Sequence, residues 1–100
     1  MLCTGGIFLE ANRIAVLGVI VEDMQAVPQL NELLHAYAPY IIGRMGLPCR
    51  ERHVSIISVV LDAPQPVVSA LSGKLGQLPG VSAKATYSKN TGHEKERNLS

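Results

Sequence analysis

Four stretches of the chain have hydrophobic patterns that predict β-strands. Arg13–Val21 and residues 54–62 are rich in β-branched residues and apolar on both alternating faces, which is typical of strands covered on both sides. Val81–Tyr87 alternates apolar with polar residues, which predicts an edge strand with one wet face. Residues 40–48 are also mostly apolar, but their two glycines predict a strand that bulges, bends or closely approaches another backbone.

Two segments between these strands follow the period of an α-helix. The first begins near Val27 and stops at Pro39, and the second covers residues 67–75. Within the second helix, Gly73 predicts a close approach of helix to sheet, and Gly76 is expected as the residue just past its end. Each helix has a single apolar stripe, formed by Val27, Leu30, Leu34 and Tyr37 in the first and by Val68, Leu71, Leu75 and Leu78 in the second.

The order βαββαβ predicts an α+β, ferredoxin-like fold, with an antiparallel four-stranded sheet and two helices on one face. We expect an N-terminal arm at residues 1–12, the domain at residues 13–88 and a disordered polar tail at residues 89–100. The helices leave the second face of the central strands uncovered, although its residues are apolar. Since the domain is also small, the sequence predicts a homo-oligomer, a dimer or a tetramer.

The composition narrows the classes of partner. The chain has 100 residues, of which 47% are hydrophobic and 17% charged, and a net charge of +1, so it has no electrostatic footprint for nucleic acid or an anionic membrane. Residues 14–21 are too few to span a bilayer. Two cysteines, Cys3 and Cys49, are too few for a disulfide framework, and we expect both as free thiols in the cytoplasm.

Arg44 is the residue in the apolar stretch 40–48 that most needs an explanation. A guanidinium stays charged, so it requires a partner or a route to water, and Gly43 beside it would leave room for a close approach. The candidate partners are Asp62, Glu22 and Asp23, which end the central strands. The alternative is that Arg44 binds an anionic small molecule, and the predicted ligand site therefore consists of these four charged residues.

Other chemistry has weaker support in the sequence. Cys49, His53 and His35 are potential metal ligands, but only Cys49 and His53 share one turn and two ligands do not close a site, so we expect no metal. Residues 73–76, Gly-Lys-Leu-Gly, lack the spacing and the helix-start position of a phosphate-binding loop. No serine, histidine and aspartate set is suggested, and the arginine-bearing loop of acylphosphatases, which share this topology, is absent. We predict that the chain is not an enzyme and that it holds no cofactor.

Four segments of the chain carry a family resemblance: residues 15–22, 40–46, 57–63 and 71–81, including the words Ile-Gly-Arg-Met-Gly and Gly-Lys-Leu-Gly-Gln-Leu-Pro-Gly-Val. Over residues 13–89 the chain strongly resembles the regulators assigned to the iron-only hydrogenase system. That family looks like ACT-type domains and like the C-terminal, nickel-sensing half of the repressor NikR. The resemblance implies a small regulatory or sensing module that takes a small-molecule ligand.

The resemblance leaves an alternative, which is a metal-responsive, NikR-like transcriptional regulator without its own DNA-binding domain. The chain lacks the run of histidines found in NikR. It also lacks the glycine that ACT domains carry after the first strand, since residues 22–25 are Glu-Asp-Met-Gln, which argues against amino-acid binding in the ACT manner. We therefore expect partners to be further copies of the chain and a small molecule, without direct nucleic-acid or membrane contact.

Overall fold

The computed structural model describes residues 11–89, and most of the predicted N-terminal arm and polar tail lies outside this range. The order of the elements is βαββαβ, as predicted. Short 3₁₀ turns, Met24–Ala26 and Ala38–Tyr40, precede and follow the first helix. The elements are β1 (Arg13–Val21), α1 (Val27–Ala36), β2 (Ile41–Cys49), β3 (Val54–Ala63), α2 (Gln65–Gly76) and β4 (Val81–Tyr87).

The four strands form one antiparallel sheet in the order β2-β3-β1-β4. The two strands predicted to be covered on both faces, β1 and β3, are therefore the central pair. They align with Val16 opposite Val60 and Leu17 opposite Val59. The predicted ferredoxin-like architecture is confirmed, with β2 and β4 as the edge strands.

The hydrophobic core lies between the sheet and the helices. Alternate residues of β1 and β3 point into it, and the apolar stripes of α1 and α2 close it from above. The largest side chains that are completely buried are Leu17, Leu30, Leu61, Leu71, Leu75, Val19, Val21, Val59 and Val68. No described helix is long and apolar enough to cross a bilayer.

Glycine plays a structural part at Gly80 but not at the two helix positions. Gly80 has a φ of 71°, and a Cβ there would lie 2.6 Å from the Cβ of Asp23, so the turn into β4 requires glycine. A Cβ at Gly73 would meet nothing within 4 Å, so the predicted close approach to the sheet is wrong. Gly76 is the last residue of α2 and Gln77 forms the right-handed C-cap, so the predicted position of Gly76 beyond the helix is also wrong.

Candidate functional site

A β-bulge near the start of β2 decides which side chains reach each face of the sheet. Ile41 lies opposite Leu61 and Gly43 lies opposite Val60, so Ile42 is an extra residue in this strand. The bulge confirms one of the alternatives that the glycines predicted. A Cβ at Gly43 would meet nothing within 4 Å, however, so the expected close approach at this glycine is wrong.

The bulge shifts the alternation of β2 by one residue. From Gly43 onward, odd-numbered residues face the side of the sheet without helices, and Arg44 faces the helical side, opposite the buried Val59. The Arg44 side chain is exposed, and its Nη2 donates a hydrogen bond of 3.3 Å to Oδ1 of Asn31 on α1. Arg44 is thus placed at the edge of the molecule, between α1 and β2.

The four residues of the predicted ligand site do not come together. Asp62 lies opposite Ile14 at one end of the sheet, while Glu22 follows the opposite end of β1, roughly 25 Å away along the strands. Asp62 also belongs to the face that Arg44 does not share. The side chain of Asp23 caps the 3₁₀ turn that follows it, since its Oδ1 accepts a hydrogen bond of 3.0 Å from the N–H of Gln25.

The predicted ion pairs of Arg44 are therefore absent within residues 11–89, where the described partner of its side chain is Asn31. The prediction grouped residues that end the two central strands. Because those two strands are antiparallel, their carboxyl ends lie at opposite ends of the sheet along the strand direction. A topology with parallel central strands would have brought the carboxylates together.

Arg44 instead lines a pocket of about 470 Å³ between α1 and β2. The sequence did not indicate Asn31, and it indicated His35 only as a potential metal ligand, because both lie on the exposed side of α1, beside its apolar stripe. Their spacing of four residues places them on neighbouring turns of one helix face, which is the signal that could have found them. The described lining residues are Asn31, Leu34, His35, Ala38, Ile41 and Arg44.

The two predicted metal ligands lie at the β2–β3 hairpin. Cys49 and His53 both line pockets of about 310 Å³ and about 450 Å³, and Glu22 lines the larger of the two. Within residues 11–89 no group of three or more cysteine, histidine or acidic side chains is arranged to hold a metal ion. Cys49 is a half-buried free thiol, while Cys3 lies outside the described residues.

The side of the sheet without helices is largely apolar, and we call it the open face. Across its centre, Gly18 of β1 lies opposite Ser58 of β3, so two small residues form a notch between Met45 of β2 and Lys84 of β4. A Cβ at Gly18 would approach nothing closer than the carbonyl oxygen of Lys84, at 3.9 Å. The exposed apolar residues of the strands are Ile14, Val16, Ile20, Ile42, Met45, Leu47 and Ile56.

These features define a small α+β domain of ferredoxin-like topology with one covered and one open sheet face. The chain belongs to the TM1266-like family, whose description is "Iron-only hydrogenase system regulator, putative" and whose profile matches residues 13–85. The family resemblance is thereby confirmed. No curated protein matches the chain significantly.

Two solved structures are similar to this chain. The uncharacterized protein TM1266 from Thermotoga maritima is 40% identical, with a TM-score of 0.75 over 78% of this chain and 99% of its own. The formyltetrahydrofolate deformylase of Pseudomonas putida KT2440 is 13% identical, with a TM-score of 0.57 over 77% of this chain and 29% of its own. The second likeness concerns the fold alone.

Proposed function

We propose that this chain is a non-enzymatic regulatory module of the iron-only hydrogenase system, which works as a homo-oligomer and takes a small-molecule ligand. Two copies pack their open faces against each other. The observation that carries the proposal is the apolar open face, which the helices of the same chain leave uncovered. The description of the family as a regulator supports a role in binding rather than in catalysis.

The size of the open face fits a second copy. The seven exposed apolar residues of the strands are between 40% and 71% accessible. Together these fractions correspond to roughly 700 Å² of accessible surface, close to the ~800 Å² that each partner buries in an interface of standard size. An apolar surface of this total size is large for a monomer and typical of an interaction surface.

The charges on the open face also favour self-association. Of the described strand residues that face this side, only Asp62 and Lys84 carry charge, and they are of opposite sign. Asp62 lies opposite Ile14 near one end of the sheet, and Lys84 lies on the edge strand β4, directly opposite Gly18. A self-complementary interface centred on β1 and β3 is therefore neutral except at Asp62, and Lys84 borders it on the β4 side with the opposite charge.

Sedimentation velocity tests the assembly directly. We expect the native chain to sediment as a dimer or tetramer at micromolar concentration, and Ile20→Lys to sediment as a monomer with native circular dichroism. Ile20 is 44% accessible, so lysine can reach water in the isolated domain. Gln29→Lys, an equal charge change on the exposed side of α1, is the matched control and should leave the mass unchanged.

A monomeric native chain at these concentrations would overturn the proposed assembly.

The regulatory role is tested in a host that carries an iron-only hydrogenase. We expect deletion of the gene to change hydrogenase activity, and the native chain, but not Ile20→Lys at equal abundance, to restore it. Unchanged hydrogenase activity after deletion would contradict the regulatory proposal.

A further inference from the structure

The pocket between α1 and β2 combines a cation with an apolar wall. It has a volume of about 470 Å³, which is large enough for a small organic molecule. Its lining includes three polar residues, Arg44, Asn31 and His35, and three apolar ones, Leu34, Ala38 and Ile41. This arrangement suits a ligand that has a charged end and a short hydrocarbon end.

The positive charge of Arg44 is not neutralised by the residues around it. None of the described residues that line the pocket is acidic, and the side chain of Arg44 donates to the neutral amide oxygen of Asn31. This bond uses one of the five guanidinium N–H groups, and the amide nitrogen of Asn31 is a further donor. Arg44 and Asn31 can therefore both donate to the same anionic group.

The C-terminal end of α1 lies beside this pocket, and the C-terminal end of a helix is its negative pole, which repels anions. Here that repulsion is weakened by hydrogen bonds to the backbone carbonyls. The N–H of Tyr37 donates to the carbonyl oxygens of Leu33 and Leu34, both at 3.2 Å, and the N–H of Tyr40 donates to the carbonyl of Tyr37 at 3.0 Å. The carbonyls of Leu33 and Leu34 in the last turn of α1, and that of the C-cap residue Tyr37, are therefore occupied by backbone N–H groups. The guanidinium remains the dominant charge of the pocket.

We propose that this pocket binds a small monocarboxylate with a short aliphatic chain. The carboxylate accepts hydrogen bonds from Arg44 and Asn31, in the fork geometry that arginine provides, and the aliphatic part lies against Ala38 and Ile41, the accessible apolar residues of the lining. A zwitterionic amino acid fits less well, because no described lining residue is a carboxylate that could pair with its ammonium group. The bulge at Ile42 positions the site, since regular alternation from Ile41 would turn Arg44 to the open face.

The proposed binding of a monocarboxylate follows from the pocket itself. It rests on the regulatory role proposed above only for the assumption that the bound molecule is a regulatory signal. The pocket and the open face lie on opposite sides of β2, where Arg44 faces the pocket and Met45 faces the open side. The two proposals can therefore fail separately. Loss of carboxylate binding with an intact dimer would remove the ligand assignment alone.

Titration of the full-length, isotope-labelled chain by NMR tests the binding. Isovalerate is the probe, and isovaleramide, which has the same shape without the charge, is its matched control. We expect saturable shifts around Asn31 and Ile41 with isovalerate, and at least about tenfold weaker binding of isovaleramide, leucine and inorganic phosphate. Equal affinity for isovalerate and isovaleramide would overturn the proposal, as would tighter binding of phosphate or leucine.

Three variants locate the charge. Arg44→Met should weaken isovalerate binding at least about tenfold. Asn31→Asp keeps the shape of the side chain but places a carboxylate beside Arg44, and we expect a similar loss. Arg50→Met removes an exposed arginine of the hairpin that does not line this pocket, so its affinity should equal that of the native chain.

Both site residues are exposed, so each variant should keep the native circular dichroism spectrum and sedimentation coefficient. Unaltered isovalerate affinity in Arg44→Met would exclude this arginine as the anion-binding group. Absence of saturable binding in the native chain, while its dimer persists, would overturn the ligand proposal and leave the proposed assembly intact.

Discussion

The two faces of the sheet contain similar residues in different surroundings. On the covered face, Leu17 and Val59 are fully buried beneath α1 and α2, while on the open face Ile14 and Val16 of the same central strands are 42% and 44% accessible. The strands cannot account for this difference, because both of their faces are apolar. It arises because the two helices form one layer, and one layer covers only one side.

The comparison shows that a strand can have an apolar face that no element of its own chain covers. An apolar residue on an exposed surface costs stability unless something covers it, and here such residues recur along both central strands and along β2. The covered face accounts for the fold of the single chain. The open face is what we propose to account for its assembly.

The largest expected effect is on the covered face. Leu17→Ala should lower the free energy of unfolding by about 3 kcal/mol, because it leaves a cavity in a fully packed core. Val16→Ala, one residue away on the open face, should cost about 1 kcal/mol, with a dependence on protein concentration if a second copy covers it. Urea unfolding at two protein concentrations measures both, and an equal cost at both positions would break the distinction between the faces.

The Gly18 notch gives the next largest effect, and it acts on assembly rather than on folding. The isolated domain has room for a side chain at Gly18, but a second copy packed over the notch does not. We expect Gly18→Val to raise the dissociation constant of the dimer at least about tenfold, as overpacking of an interface does. Gly46→Ala, on the helical side of β2, is the control; unchanged assembly in Gly18→Val would place the contact elsewhere.

The reactivity of Cys49 sharpens the comparison further. Cys49 lies opposite Val54, on the open-face side of β2, and is half-buried in the single chain. Its alkylation should be several-fold faster in the Ile20→Lys monomer than in the native oligomer, because the partner no longer shields the thiol. Equal rates in the two proteins would argue against a partner near this end of the face.

Under denaturing conditions without reductant, the chain should take up two alkyl labels, one each on Cys3 and Cys49. Mass spectrometry counts the labels. A stable bridge between the two cysteines would leave no free thiol and would contradict the expectation of a reducing compartment.

The smallest expected effect separates the open face from the Arg44 pocket. Raising the salt from about 0.05 M to about 0.5 M should weaken isovalerate binding roughly threefold, because the charge of an exposed arginine is screened. Assembly through an apolar face should be unchanged or slightly tighter under the same conditions. Sedimentation and NMR titration across the same salt series measure the two responses, and a dimer that dissociates in salt would indicate a charged interface instead.

The sequence by itself predicted the fold and most of the core. The alternating faces of β1 and β3, the stripes of α1 and α2 and the wet face of β4 agree with the structure, because each depends on the local period of a strand or a helix. The order of the elements then left few topologies, and the handedness rule selected the observed one. The apolar character of the open face was equally visible.

The tertiary structure alone decided the surroundings of Arg44. A single extra residue at Ile42 reversed the phase of β2, and the packing of α1 beside that strand brought in Asn31 and His35, which lie more than eight residues away in the chain. The antiparallel pairing of β1 and β3 likewise separated Glu22 from Asp62. Local periodicity shows which residues of an element share a face, but which elements become neighbours, and in what register, depends on long-range packing.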